Sequence, residues 1–132
     1  MKKKVLFLCT GNSCRSQMAE AIVNARLGDD WEAVSAGTSP AGSVHPMVRE
    51  VLREIGINHI GESKSVDVYY ESDFDLVITI CDSAAEECPA WFEIWPTTHY
   101  NFPDPAKTGT LQDFRFVRDK IAFEIPRILI NY

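Results

Sequence analysis

The sequence predicts a single α/β domain, an about four-stranded parallel sheet with helices on both faces. Short apolar runs alternate with segments of helical period, which implies parallel strands joined by right-handed crossovers. The first run, Val5 to Leu8, is apolar without interruption, as a strand covered on both faces requires. At 132 residues the chain can bury one substantial core, so residues 1–132 are expected to form one domain.

Strand one is Lys4 to Leu8. Helix one, from about Ser16 to Leu27, buries Met18, Ala19, Ile22, Val23 and Ala25 and ends at Gly28 as a C-cap. Strand two is Trp31 to Ala36, closed by Gly37 and a loop from Thr38 to Val44. Pro46 opens a second helix that Gly56 stops, with Met47, Val48, Val51, Leu52 and Ile55 at core spacing. Ile57 to Val68 carries no clear period and reads as a loop with a short strand or turn. Leu76 to Ile80 is strand three, ending at Cys81, and Asp82 to Glu87 favours helix. A fourth strand falls within Trp91 to Tyr100, where Pro96 marks a boundary or an edge and Trp91, Phe92 and Trp95 are core or strand aromatics. After a loop from Phe102 to Thr110, Leu111 to Ile130 forms the terminal helix. Its apolar stripe is Phe114, Val117, Ile121, Ile125 and Ile128, and Pro126 is expected to kink or end it.

Composition excludes several classes. A hydrophobic share of 45% and a charged share of 24% are those of an ordinary globular protein. The net charge of -6 opposes a nucleic-acid or anionic-membrane partner. The basic start, Met1 to Lys4, precedes an apolar run too short for a signal segment or membrane span, so a cytoplasmic location is expected; the chain is also expected to be a monomer. Cysteines 9, 14, 81 and 88 form no C-x-x-C pair, and His45, His59 and His99 lack ligand spacing, which argues against zinc.

The chemistry concentrates in Cys9-Thr10-Gly11-Asn12-Ser13-Cys14-Arg15-Ser16, between strand one and helix one. Free N–H groups at the helix start point back into such a loop and cradle an anion. The same field favours a thiolate at Cys9, and Arg15 adds a planar fork for two oxygens of a tetrahedral oxyanion. Ser16 can hydrogen-bond the Cys9 sulfur or cap the helix. A nucleotide P-loop is excluded, because the loop has one glycine and no lysine. A plain strand-to-helix turn would not need Arg15 and Ser16 together.

The loop matches C-x5-R-S and resembles the low-molecular-weight protein tyrosine phosphatase superfamily, and the run CTGNSCRSQMAE is especially similar to its thioredoxin-coupled arsenate reductases. That resemblance implies a phosphatase-like fold over the whole chain and an oxyanion-binding loop made by Thr10, Gly11, Asn12, Ser13, Cys14 and Arg15. It also makes Asp104, before Pro105, the acid that protonates a leaving oxygen; a lone Asp-Pro would ordinarily mark a turn. Phosphate and arsenate are both tetrahedral, so the loop alone does not choose between them. Reducing arsenate needs two electrons, available when two thiols become a disulfide. The resemblance implies that Cys9 attacks arsenate, Cys81 attacks Cys9 to release arsenite, Cys88 attacks Cys81, and thioredoxin reduces the final bond. A helix over 82–87 would separate Cys81 and Cys88 by ~10.5 Å of rise, beyond the roughly 6.8 Å between Cα atoms that a disulfide allows. That bond therefore requires the segment to unwind. Potassium is expected at Asn12, Glu20 and Ser35 on the same resemblance, although 62–65 departs from the family pattern. Cys14 is assigned to packing or to trapping an oxidised Cys9. The alternatives are a protein tyrosine phosphatase with incidental cysteines, which the lack of aromatics after Pro105 disfavours, and a non-catalytic oxyanion-binding or redox-sensing module.

Overall fold

The computed structural model describes residues 2–80 and 95–132. Strands β1 (Lys3–Cys9), β2 (Trp31–Gly37), β3 (Leu76–Thr79) and β4 (Thr97–His99) form one parallel sheet in the order β2-β1-β3-β4. Among the described residues, helices α1 (Arg15–Arg26), α2 (Pro46–Arg53) and α3 (Leu111–Leu129) accompany the sheet, with a 3-10 turn at Val66–Tyr69. The expected segment 82–87 and the residues Cys81, Cys88, Trp91 and Phe92 lie outside the described residues.

The central strand explains the sheet. Val5, Leu6, Phe7 and Leu8 are wholly buried in succession, so both faces of β1 are covered. Register aligns the carboxyl ends: Cys9 lies beside Gly37, Leu8 beside Thr79, and Thr79 beside His99. In a parallel sheet this edge is where ligands bind. The chain after β4 returns to it, because the N–H groups of Tyr100 and Phe102 donate to the carbonyls of Thr79 and Ile80.

The structure corrects several expectations. Ala25 is exposed, and Ala21 takes its place in the buried face of α1. Gly28 is not a left-handed cap; Leu27 caps α1, and a Cβ on Gly28 would lie 2.5 Å from the Asn24 carbonyl oxygen. Close backbone approach, not turn conformation, requires that glycine. Gly56 does turn left-handed, at φ 81°, just after α2. Ile57 to Val68 holds the 3-10 turn and an isolated bridge from Ser65 to Gly37. Pro126 does not end α3, which runs on to Leu129. Its ring removes the N–H that would bond the Ala122 carbonyl, and the helix continues one turn past that lost bond, with the Pro126 carbonyl accepting from Ile130 N at 3.1 Å.

Helix α3 packs on α1 and α2 through Phe114, Val117, Ile121, Ile125 and Leu129, with Ile128 half-buried. Arg118 is the polar member of that face. Its Nη1 donates to the Val51 carbonyl at 2.9 Å and to Glu54 Oε1 at 2.8 Å. The Ile55 N–H that would continue α2 onto Val51 bonds Leu52 instead, so the guanidinium serves a carbonyl left over at the end of α2. Arg115 binds both Glu54 oxygens from the preceding turn, and Arg115 first, then Arg118, holds that carboxyl below its usual range. Arg118→Met keeps the stem and removes the donors. We expect unfolding in urea to show a loss of about 2 kcal/mol; a loss below about 0.5 kcal/mol would mean water replaces the guanidinium at no cost.

Candidate active site

The loop between β1 and α1 is fixed from outside, carbonyl by carbonyl. The oxygens of Cys9, Thr10, Gly11 and Ser13 accept from the N–H groups of Thr38, Ser39, Ala41 and His45 at 3.2, 2.9, 2.8 and 3.1 Å. Gly11 also accepts from Ser63 Oγ, Asn12 from Gln17 Nε2, and Cys14 from Met18 N within α1. Every carbonyl from Cys9 to Cys14 thus points away from the loop centre, and the amides are turned toward it. The start of α1 faces the same space, with N–H groups that have no partner inside the helix.

Gly37, at the end of β2, makes this possible. A Cβ there would sit 2.5 Å from the Thr10 carbonyl oxygen and 3.1 Å from the Asn12 amide nitrogen. Asn12 takes a left-handed backbone, φ 49°, a conformation that costs an L-residue about 1–2 kcal/mol. Its buried side chain over-determines that strain: Oδ1 accepts from Gln17 Nε2 and Lys64 N at 3.0 Å each, and Nδ2 donates to Ser16 Oγ at 2.8 Å.

Cys9 sits at the floor. Its Sγ accepts from the Asn12 N–H at 3.2 Å and lies 2.8 Å from Ser16 Oγ. Because Asn12 already donates to that hydroxyl, the serine proton is free to point at sulfur. Ser16 is inside α1 and does not cap it; the cap position is Cys14, whose side chain makes no capping bond to the helix. Behind Asn12 the chain of donors continues, for His59 Nε2 lies 2.7 Å from Gln17 Oε1. Gln17 uses its amide nitrogen on Asn12, so His59 is the donor here. Burial pushes the His59 pKa down, against the pull of Glu20, and Arg49 and Lys64 push it the same way.

Above Cys9 is a cavity of about 130 Å³, lined by Cys9, Gly11, Ser13, Cys14, Arg15, His45, Asp104 and Ala106. This size suits a small tetrahedral oxyanion. Arg15 donates from Nη1 to the Phe102 carbonyl at 3.0 Å, which ties it to the loop after β4, and Nη2 lies 4.0 Å from Asp104 Oδ2. Asp104 Oδ1 accepts from Ala106 N at 3.0 Å, fixing the carboxylate in a turn at the cavity wall. Burial, more than any neighbour, raises the Cys14 pKa to about 11 and keeps it a thiol.

Of the residues expected from sequence, Cys9, Gly11, Ser13, Cys14, Arg15 and Asp104 line one cavity, while Asn12 and Ser16 act from beneath it. Thr10 contributes through its pinned carbonyl, and Cys81 and Cys88 are not described. Sequence inspection missed His45, Gln17, His59 and Lys64. A signal existed for Gln17, a polar residue directly before the buried run Met18 and Ala19, but none for His45, which reaches the cavity wall as the N-cap of α2.

The oxygens expected to hold potassium have partners within the chain. Asn12 Oδ1 is occupied by two N–H donors, Ser35 Oγ donates to Glu20 Oε1 at 2.9 Å, and the Lys64 ammonium lies 3.8 Å from that same oxygen. The positive charge beside Glu20 is supplied by the chain. No cluster of three His, Cys, Asp or Glu that could hold a metal occurs among the described residues. No helix among them is long and apolar enough to cross a membrane.

A thiol beneath an arginine-topped anion cradle, on a β2-β1-β3-β4 sheet, defines a phosphatase-like catalytic domain. The chain belongs to the family described as low molecular weight phosphotyrosine protein phosphatase, whose profile matches residues 4–130. It is 45% identical over 131 residues to an arsenate reductase of Halalkalibacterium halodurans, covering 94% of this chain and 93% of that protein. Among solved structures it resembles an arsenate reductase in the phosphate binding state, at TM-score 0.84 and 28% identity over 98% of both chains. It also resembles the low molecular weight protein tyrosine phosphatase of T. tengcongensis, at TM-score 0.83 and 28% identity, over 99% of this chain and 100% of the other.

Gly37→Ala should push the Thr10 and Asn12 backbone inward without unfolding the sheet. Phosphate titration by calorimetry is expected to show affinity weakened about ten- to a hundred-fold. Unchanged affinity would show that the cradle does not depend on the close approach of β2.

Proposed function

We propose that this chain reduces arsenate to arsenite, using Cys9, Cys81 and Cys88 in turn. The observation that carries the proposal is the seating of Cys9 Sγ at the floor of an oxyanion cavity with Arg15 and Asp104 on its wall. The arsenate reductase relatives supply the choice of oxyanion. The sequence supplies the further thiols, Cys81 and Cys88, that a two-electron reduction consumes.

Atoms and electrons balance over the cycle. The Cys9 thiolate attacks arsenic, and an arsenate oxygen leaves as water with a proton that Asp104 is placed to provide. Cys81 attacks Cys9 Sγ; the sulfur–arsenic bond breaks with its electron pair left on arsenic, giving arsenite and a Cys9–Cys81 disulfide. Cys88 attacks Cys81 and returns Cys9 as a thiolate. A dithiol protein of the thioredoxin type then reduces Cys81–Cys88, supplying the two electrons of the cycle. The cradle acts on the first step: amide dipoles and Arg15 meet the charge that builds on the oxygens, in a site fixed before the ligand arrives. The donors at Sγ, Asn12 N–H and Ser16 O–H, stabilise the sulfur when it carries charge.

Asp104 and Arg15 facing one cavity also favour a second activity, slow hydrolysis of aryl phosphates. Phosphotyrosine is the weaker substrate, since the chain after Asp104 continues as Pro105 and Ala106, of which Ala106 lines the cavity, and brings no aromatic ring there. Cys9→Ser should abolish both activities. Cys81→Ser and Cys88→Ser should stop repeated arsenate reduction with thioredoxin while leaving aryl phosphate hydrolysis within about threefold, because the cradle is untouched. Sustained arsenate turnover by either second-thiol variant would exclude the relay.

A further inference from the structure

Helix α3 carries a second pattern, on the face turned away from the core. Phe116 is 61% exposed, Phe123 62% and Ile130, its cap residue, 82%, and they recur every seven residues. Asp119 and Arg127, both exposed, fall between them. At about 100° per residue these five positions occupy an arc of roughly 80°, opposite Phe114, Val117, Ile121 and Ile125. Arg127 lays its guanidinium over the Phe123 ring, 4.1 Å from the centroid, and Asp119 Oδ1 accepts from Arg118 Nε at 2.9 Å. Both charged groups are thereby held along the stripe. Three large apolar side chains in one line on solvent-facing helix surface are more than the scattered single residues that globular surfaces carry.

The order of residues chooses the occupant. Placed antiparallel to itself about Phe123, the stripe is self-complementary. Phe123 meets Phe123 of a second copy, Phe116 meets Ile130, and Asp119 meets Arg127, each unlike pair occurring twice as a two-fold axis demands. A parallel arrangement would instead oppose Asp119 to Asp119 and Arg127 to Arg127. We propose that this face is a homodimer contact, with two copies of α3 packed antiparallel and closed by two Asp119–Arg127 pairs. This differs from the monomer expected from the sequence.

The contact is small. Aromatic side chains expose about 150–250 Å² when free, so the three apolar residues bury several hundred Å² per copy at most. That is below the ~800 Å² per partner of standard stable interfaces, so the dimer forms only at high protein concentration and weakens in salt.

Sedimentation equilibrium of the full chain between about 5 µM and 500 µM, at low salt, tests this. The weight-average mass should rise from 14.9 kDa towards twice that value. Asp119→Lys and Arg127→Glu should each remain monomeric, since each places like charges together twice. An equimolar mixture of the two should associate again. In the mixed dimer the introduced lysine of one copy faces the introduced glutamate of the other, and the native Arg127 of the first faces the native Asp119 of the second. Circular dichroism confirms that both variants keep their helices. A native mass that stays at 14.9 kDa, a dimer indifferent to either substitution, or a mixture no heavier than its parts would each overturn the proposal.

Discussion

The site depends on one constraint: the carbonyls from Cys9 to Cys14 are all bonded outward. A loop of this length could satisfy its backbone internally or with water, and then its amides would not converge. Here the segment after β2, the N-terminus of α2, the strip at Ser63 and Lys64 and the side chain of Gln17 each take particular carbonyls or the Asn12 side chain. The amides are left with no direction but the centre. An anion entering that centre meets donors already in place, which is the condition under which hydrogen bonds stabilise a developing charge without reorganisation.

Beneath the loop, polar groups occupy ground that an ordinary α/β core would give to aliphatic side chains. Asn12, Ser16, Gln17 and Ser35 are all fully buried. Each isolated group of this kind would cost about 1–3 kcal/mol, and none is isolated. The chain His59–Gln17–Asn12–Ser16–Cys9 passes a fixed sense of donation toward the sulfur. Its direction depends on His59 being a donor at Nε2 whatever its charge, so the burial that depresses its pKa leaves the relay intact. Glu20 lies behind this chain, neighboured by Lys64 and His59 and bonded by Ser35. Charge near the loop is balanced by the protein's own side chains.

Much of this was legible in the sequence. The strand–loop–helix placement of Cys9 and Arg15 follows from an apolar run meeting a helical period, and both signals are strong because both faces of β1 are buried. The parallel direction of the strands could be read from the alternation of strand and helix, whereas the order β2-β1-β3-β4 could not. What stayed hidden was tertiary. Gly28 and Gly37 look alike in sequence, yet one is required by contact with its own helix and the other by contact with the anion loop. His45 reads as an idle residue before a proline until α2 is docked, when it becomes both cap and cavity wall. Pro126 carries a strong local signal for ending a helix, overridden because Ile125, Ile128 and Leu129 still pack toward the core.

The constraint is most directly tested by crystal structures of the reduced protein with and without bound phosphate. If the outward-bonded carbonyls set the cradle, residues 9–15 should superpose within about 1 Å in the two states, as in preorganised complexes, with the Thr38, Ser39, Ala41 and His45 bonds present in both. A loop that collapses or loses those bonds without the anion would show that the ligand, and not the surrounding backbone, builds the site.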